Sequence, residues 1–563
     1  MNYNILIGGA AGQGMDTLAA IFEKLMKRKG FHIFTVRDYM SRIRGGHNFI
    51  QVRFGTEKLY THCDELDGII ALNEETLVIH SGRLKENGFS ISDEESVYAD
   101  EHLLKLPLKK TAKELGNIRV SGSVALGAVL GILGIDPGGI EEIFSDFFNE
   151  DAAALNLAAI NSGLRLVDKR TDTVSQNPDE SLLINGNEAV ALGALAAGCK
   201  FYSAYPMTPS TSIMNYLAGK MLDAEIVVEQ AEDEIAAINM AVGASFAGAR
   251  AMTGTSGGGF SLKVEALGLS GMMELPLVVA NVQRPGPVTG LPTRTEQSDL
   301  KFIISASQGE FPRLVIALRN PEDAFIQTIR AFNLADKYQL PVILLSDQFL
   351  ADTTVTTKPF DFDKVEKMLE LHIDNPPQNP QEYRRYELTD TGISPRLVPG
   401  RHEGIVFTAD SDEHDEYGHI TESAEVRVRQ VDKRLRKLEF LKEELQEPEF
   451  IGDGDCDVLL LAWGSTWGPV KDAVRLLNQD GGKKYGALVF GDIWPLPVKL
   501  LKEKAQKASK LINVEQNATG QLASVISEVT GLFCDASVLK YDGRAMDSNY
   551  IYTRVREVEH TNV

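Results

Sequence analysis

Residues 201–211 read Phe-Tyr-Ser-Ala-Tyr-Pro-Met-Thr-Pro-Ser-Thr: a short strand-forming run, Phe201 to Ala204, that breaks into a turn rich in proline and hydroxyls. The pattern recurs downstream. Ala251 to Thr255 leads into Ser256-Gly257-Gly258-Gly259, Leu277 to Val282 leads into Gln283-Arg284-Pro285-Gly286-Pro287, and Pro341 to Ser346 is a further apolar run. Ala- and Gly-rich stretches of helical length lie between them. Strands alternating with helices predict a parallel sheet covered by helices. In such sheets ligands bind beyond the carboxyl ends of the strands. Those ends carry the hydroxyls of Thr208, Ser210, Thr211 and Ser256, backbone donors at Gly257, and the guanidinium of Arg284, a set suited to an anionic substrate.

On the amino-terminal side, residues 1–170 open with the strand Asn4 to Ile7, the turn Gly9-Ala-Ala-Gly12-Gln13-Gly14, and an amphipathic stretch from Thr17 to Lys29 with Leu18, Ile21, Phe22 and Leu25 at helical spacing. This is a first βα unit. The polar run 169–180 reads as a linker, so the central domain spans 181–358. Residues 359–449 carry many charges and Pro376, Pro377, Pro380, Pro395 and Pro399, and predict a long connection ending in a surface helix around Val431 to Leu445. A last α/β domain, 450–563, has strands at Val458 to Trp463, Tyr485 to Phe490 and Lys510 to Val514. The expected fold is α/β, with three domains built on mostly parallel sheets.

The chain has 563 residues, 43% hydrophobic and 24% charged, which suits a globular protein of several domains. A net charge of −22 argues against a nucleic-acid partner. No run approaches the ~18 apolar residues of a membrane span, and the start lacks a secretory leader pattern, so the expectation is a cytoplasmic protein without membrane contact. Cys63, Cys199, Cys456 and Cys534 are isolated in sequence, which predicts no iron–sulfur cluster on this chain.

Glu229, Glu232, Asp233 and Glu234 precede a stretch of small residues, 235–250, where acids at a helix start also simply complement the dipole. Arg284 and Arg294 are ligand candidates or members of ordinary ion pairs. The Gly12-Gln13-Gly14 turn matches GxGxxG in no register and serves either as a phosphate cradle or as a tight connection. Gly452-Asp-Gly-Asp455 precedes a strand instead of following one, and the acids and histidines between His402 and His419 fit a solvated loop better than a metal site. No metal is expected on this chain.

Four strings in order, YPMTPST (205–211), EDEIAAINMAVGASFAGAR (232–250), TSGGGFSLKVEALGLSGMMELP (255–276) and QRPGPVTGLPTRTEQSDL (283–300), resemble the thiamine pyrimidine-binding domain of 2-oxoacid:ferredoxin oxidoreductases. GGAAGQG with SRIRGG (41–46) is similar to the gamma module of that family. VEQNATGQL (514–522) is similar to its transketolase C-terminal-like domain. The gamma-then-alpha order resembles 2-oxoglutarate enzymes. The resemblance implies that Glu234, nine residues before Gly243, is the carboxylate that activates the aminopyrimidine of thiamine diphosphate, with Glu232 as the alternative. It implies that Thr208, Ser210, Thr211 and Arg284 meet the 2-oxoacid, that Arg294 meets a distal carboxylate, and that Ser256 and Gly257 touch the cofactor. It implies a coenzyme A contribution from Gly12, Gln13, Gly14, Arg42 and Arg44. The diphosphate with Mg2+ and a [4Fe-4S] cluster then belong to a beta subunit, ferredoxin takes the electrons, and the assembly is an (alpha-beta)2 heterotetramer. Pyruvate or a branched-chain acid is the alternative substrate. A non-catalytic coenzyme A- or nucleotide-binding scaffold is the alternative class.

Overall fold

The computed structural model describes residues 2–40, 45–171, 173, 180–362 and 374–560. The chain forms two compact units, Met1–Ile184 with Asp352–Pro359, and Asn185–Ala351 with Phe360–Val563.

The first unit is an eight-stranded sheet in the order Leu103–Leu106, Leu84–Asp93, Leu66–Ala71, Asn2–Ala11, Gly45–Gly55, His32–Asp38, Thr354–Thr357, Leu182–Ile184. The first four strands run parallel and the remaining pairings are antiparallel. Asn2–Ala11 passes straight into the helix Met15–Arg28, whose Leu18, Ile21, Phe22 and Leu25 are buried in the core against Ile5, Val52 and Phe54. Strands Leu182–Ile184 and Thr354–Thr357 fall inside the 181–358 segment drawn from local composition, yet they complete this first sheet.

The second unit holds two sheets. The larger has the order Asp492–Trp494, Leu314–Ala317, Pro341–Asp347, Leu277–Gln283, Ala251–Thr255, Phe201–Ala204, Val227–Gln230. All of its strands run parallel except Asp492–Trp494. Runs such as Leu277-Val-Val-Ala280 and Pro341-Val-Ile-Leu-Leu345 are apolar throughout because helices cover both faces of a parallel sheet. The smaller sheet, ordered Glu449–Ile451, Tyr485–Phe490, Val458–Trp463, Lys510–Glu515, Ala536–Leu539, shares one core with the larger: Val279, Ile343 and Leu345 pack in the same cluster as Trp463, Phe490 and Ile493.

The helix expected at the surface around Val431 runs Ala424–Leu441, and its inner face is buried. Lys433 and Lys437 both reach Glu274, at 2.6 and 2.5 Å, and Arg434 pairs with Glu413 at 2.8 Å. Polarity alone pointed outward; pairing of each buried charge is what lets this face turn inward. No helix among the described residues is long and apolar enough to cross a membrane.

Candidate functional site

Parallel register delivers the strand ends of the larger sheet to one edge. Ala204 lies beside Gln230, Thr255 beside Asn281, and Gln283 beside Asp347. The turns that follow, 205–211, 231–234, 256–259 and the loop from Arg284, therefore open on the same side.

Glu234 begins the helix Glu234–Phe246. Asp233 caps that helix by accepting Ala236 N–H at 2.8 Å, so Glu234 sits at the positive end of the helix dipole, where a carboxylate is stabilised. Of the four acids in this stretch, Glu229 and Glu232 are exposed and Asp233 is half-buried, whereas Glu234 is 4% exposed. Its Oε1 is buried with no hydrogen-bond partner among the described residues. Such atoms are rare in native proteins, and this one is an acceptor waiting for a donor. The helix Gly257–Met272 makes room for it: a Cβ on Gly259 would lie 2.5 Å from Glu234 Oε1 and nearer still to Thr255 Oγ1, and a Cβ on Gly257 would run into the Asp299 carboxylate. On that same helix Lys263 is fully buried, and its Nζ donates to the Glu234 carbonyl at 3.1 Å and to Thr253 Oγ1 at 3.0 Å. Burial pushes the Lys263 ammonium down to about 8, against the pull of Glu234 and Asp233.

Arg284 follows the strand Leu277–Gln283, is 8% exposed, and donates from Nη1 to the Thr208 carbonyl at 2.7 Å. One bond thus ties the turn after Phe201–Ala204 to the loop after Leu277–Gln283. Burial lowers the Arg284 pKa and Asp299 opposes that shift; its Nε has no partner among the described residues. Burial pushes the Asp299 carboxyl up to about 6, opposed by a 3.0 Å bond from Asn281 Nδ2 and by Arg284. Ser256 Oγ and Asn281 Oδ1 are also buried without partners among the described residues. One sheet edge therefore presents a carboxylate, a hydroxyl, an amide oxygen and a guanidinium, each with bonding capacity left over. Such a set can hold a polar heterocycle and an organic acid.

Ser210 Oγ donates to Met207 O at 2.8 Å, and Thr211 opens the helix Thr211–Ala218. Arg294 is half-buried, with Nη1 on Thr293 O at 3.3 Å, in a loop that folds back so that Leu291 N–H reaches Pro285 O at 3.1 Å. Gly452–Asp455 is a turn between Glu449–Ile451 and Val458–Trp463. In the 402–419 loop Glu413 accepts from Arg427 and Arg434, and His414 lies against Tyr386 with ring centroids 3.9 Å apart. Among the described residues no group of three His, Cys, Asp or Glu is arranged to hold a metal ion.

The first unit has a cavity of about 560 Å³ lined by Gly12, Gly14, Asp16, Thr17, Arg37, Tyr39, Met40 and Asn48 among others. Gly12 and Gly14 adopt left-handed backbone, φ 93° and 78°, and Gly14 precedes Met15–Arg28 with no side chain capping the helix. Gln13 is engaged locally: Oε1 accepts from Ala10 N–H at 2.7 Å. Arg42 and Arg44 lie outside the described residues.

Family models match along the chain in order: "Pyruvate ferredoxin/flavodoxin oxidoreductase" over residues 4–166, the thiamine-diphosphate-binding domain of pyruvate flavodoxin/ferredoxin oxidoreductase over 192–433, and "Pyruvate:ferredoxin oxidoreductase core domain II" over 456–551. The alpha subunit of a 2-oxoacid:ferredoxin oxidoreductase from Sulfolobus sp is 32% identical, over 97% of this chain and 95% of that one. The chain belongs to the 2-oxoacid:ferredoxin oxidoreductase family. It is an enzyme subunit with a thiamine-diphosphate-binding domain. This oxidoreductase subunit is also 30% identical to the 2-oxoglutarate oxidoreductase subunit KorA of Mycobacterium tuberculosis, over 93% of this chain and 87% of that one. It matches the 2-oxoglutarate:ferredoxin oxidoreductase of Magnetococcus marinus, solved with 2-oxoglutarate, coenzyme A and succinyl-CoA bound, with a TM-score of 0.92 and 32% identity over 99% of each chain.

Sequence reasoning passed over Asn281, Asp299 and Lys263 in this oxidoreductase, and took Gly259 only as part of the turn after Ala251–Thr255. Two signals were available: an asparagine inside the apolar run Leu277-Val-Val-Ala-Asn-Val282, and a glycine and a lysine four residues apart, hence on one helix face.

Proposed function

We propose that this chain is the alpha subunit, with a fused gamma domain, of a 2-oxoglutarate:ferredoxin oxidoreductase that converts 2-oxoglutarate and coenzyme A to succinyl-CoA and CO2 while two oxidised ferredoxins each take one electron. The observation that carries the reading is the buried, unpartnered Oε1 of Glu234 at the sheet edge that also holds Arg284. Thiamine diphosphate, when bound, supplies the carbon that adds to the keto group and the sink for the electrons left by decarboxylation. Glu234 accepts a hydrogen bond from its aminopyrimidine ring. Ser256, beside Gly257, is placed for the same ring, and its free hydroxyl supports that role.

Arg284 holds the carboxylate next to the keto carbon, with Thr208, Ser210 and Thr211 in the adjoining turn. Nε is one guanidinium donor still open to it among the described residues. Arg294, on the same loop, meets the distal carboxylate of a dicarboxylic substrate. The resemblance to the Magnetococcus marinus enzyme over nearly the whole chain supports 2-oxoglutarate over pyruvate. Gly12, Gln13 and Gly14 form the phosphate end of a coenzyme A site beside the cavity of the first unit; Arg42 and Arg44 are given the same ligand on the sequence resemblance alone. The diphosphate, its Mg2+ and a [4Fe-4S] cluster fall to a beta subunit, in a cytoplasmic (alpha-beta)2 assembly.

The test is coenzyme A-dependent viologen reduction by the anaerobic complex of this chain with its partner, on 2-oxoglutarate and on pyruvate. We expect activity on 2-oxoglutarate, and a KM for it raised at least tenfold more than that for pyruvate in Arg294→Ala. Activity on pyruvate alone, or equal effects of the substitution on both acids, discards the substrate assignment.

A further inference from the structure

Lys263 is a buried charge for which none of the roles above accounts. It lies on the inner face of Gly257–Met272, and no part of it reaches solvent. Lysine is almost never buried completely unless it is paired. Lys433 and Lys437 obey that rule by direct contact with Glu274. Lys263 instead sets its Nζ on two neutral oxygens, the Glu234 carbonyl and the Thr253 hydroxyl, at 3.1 and 3.0 Å. The negative charges that act on it are the side chains of Glu234 and Asp233.

We propose that Lys263 is a positioning residue for Glu234, holding the first turn of its helix by the backbone carbonyl and setting a positive charge behind its buried side chain. The inference rests on the assignment of Glu234 to the pyrimidine ring of the cofactor. A carboxylate removed from water is driven toward its neutral form, and a cation close behind it opposes that drive. The surroundings divide the labour between two positions of one helix. Gly259 leaves the space into which the carboxylate projects, and Lys263, one turn further on, reaches back to the carbonyl of the same residue. Thr253 fixes the ammonium from the strand Ala251–Thr255. The other charged groups around this edge are Asp299 beside Gly257, and Arg284 and Asp347 at strand ends.

The experiment compares Lys263→Gln and Lys263→Met in the complex with the partner subunit. Glutamine keeps an N–H donor for the two oxygens and loses the charge; methionine loses both. We expect Lys263→Gln to fold, with its acid limb of kcat/KM moved to higher pH by about one unit or more. Its affinity for thiamine diphosphate, measured by calorimetry with no 2-oxoacid present, should fall between pH 8 and pH 6 more steeply than in the wild type. A folded Lys263→Gln with the wild-type acid limb and wild-type cofactor affinity overturns the proposal, because the hydrogen bonds alone then suffice.

Glu234→Gln is the control. Full activity in that variant overturns the Glu234 assignment and Lys263 with it, whereas an inactive Glu234→Gln beside an unshifted Lys263→Gln overturns Lys263 only.

Discussion

Gly259 and Glu234 are the pair on which the site's geometry turns. Alanine is the better helix former by ~1 kcal/mol, so Gly259→Ala ought to stabilise the helix Gly257–Met272. Its methyl, however, would stand 2.5 Å from Glu234 Oε1 and closer to Thr255 Oγ1. The backbone at Gly259 is helical, so the cost comes from contact with the Thr255 hydroxyl and the Glu234 carboxylate and not from backbone strain. Displacing a reacting group by about 1 Å costs on the order of 100-fold in rate. We expect Gly259→Ala to keep a melting temperature near that of the wild type while kcat for viologen reduction falls by about that factor; unchanged kcat would mean that Glu234 has room to spare. At this scale the sequence was partly legible. The family resemblance, located by the spacing of Glu234 to Gly243, pointed to it, and the structure adds that it alone of the four neighbouring acids is buried. Asn281 and Lys263 were hidden because each lies in a stretch whose period and composition read as core.

The helix Ala424–Leu441 shows how an element's environment escapes a local reading. Its lysines and arginines look solvated in sequence, but Glu274, in left-handed backbone at φ 52°, gathers Lys433 and Lys437 from across the fold. Apolar strands such as Val458–Trp463 and Tyr485–Phe490 were readable because burial on both faces leaves a near-continuous hydrophobic run. Val227–Gln230 and Asp492–Trp494 were not readable. They are short edge strands whose identity comes from partners far away in sequence.

The Glu274 cluster makes a measurable claim. Burial pushes the Glu274 carboxyl up, and Lys433, Lys437 and Arg385 outweigh it, holding the carboxyl well below the usual range. A folded pKa below the unfolded one means that the unfolded chain binds more protons in between, so this stability is complete above about pH 4.3 and fades as pH falls further. Glu274→Gln leaves two lysines buried without a carboxylate and should cost about 3–5 kcal/mol at pH 7 by urea denaturation. It should also remove the part of the acid destabilisation that belongs to Glu274. A loss under about 1 kcal/mol would show that the lysines find water or other partners instead.

For the whole molecule, the question is how much of the catalytic apparatus one chain carries. The segment matching the pyruvate ferredoxin/flavodoxin oxidoreductase model, the thiamine-diphosphate-binding domain and the core domain II segment follow one another in a single polypeptide. The sheet edge around Glu234 offers acceptors and donors for a heterocycle and a carboxylate, and the proposed function gives the diphosphate and its Mg2+ to a beta subunit. Affinity for thiamine diphosphate should then reside mostly in the assembled complex. A ligand at 100 times its dissociation constant stabilises the folded state by about 2.7 kcal/mol. Thiamine diphosphate with Mg2+, added at such a level, should raise the melting temperature of the complex by a few degrees and leave that of the isolated chain within error. Omitting Mg2+ should abolish most of the shift in the complex. An equal, Mg2+-dependent shift in the isolated chain would place the diphosphate site on this polypeptide, and with it an acidic ligand set among residues the sequence reading assigned to solvent.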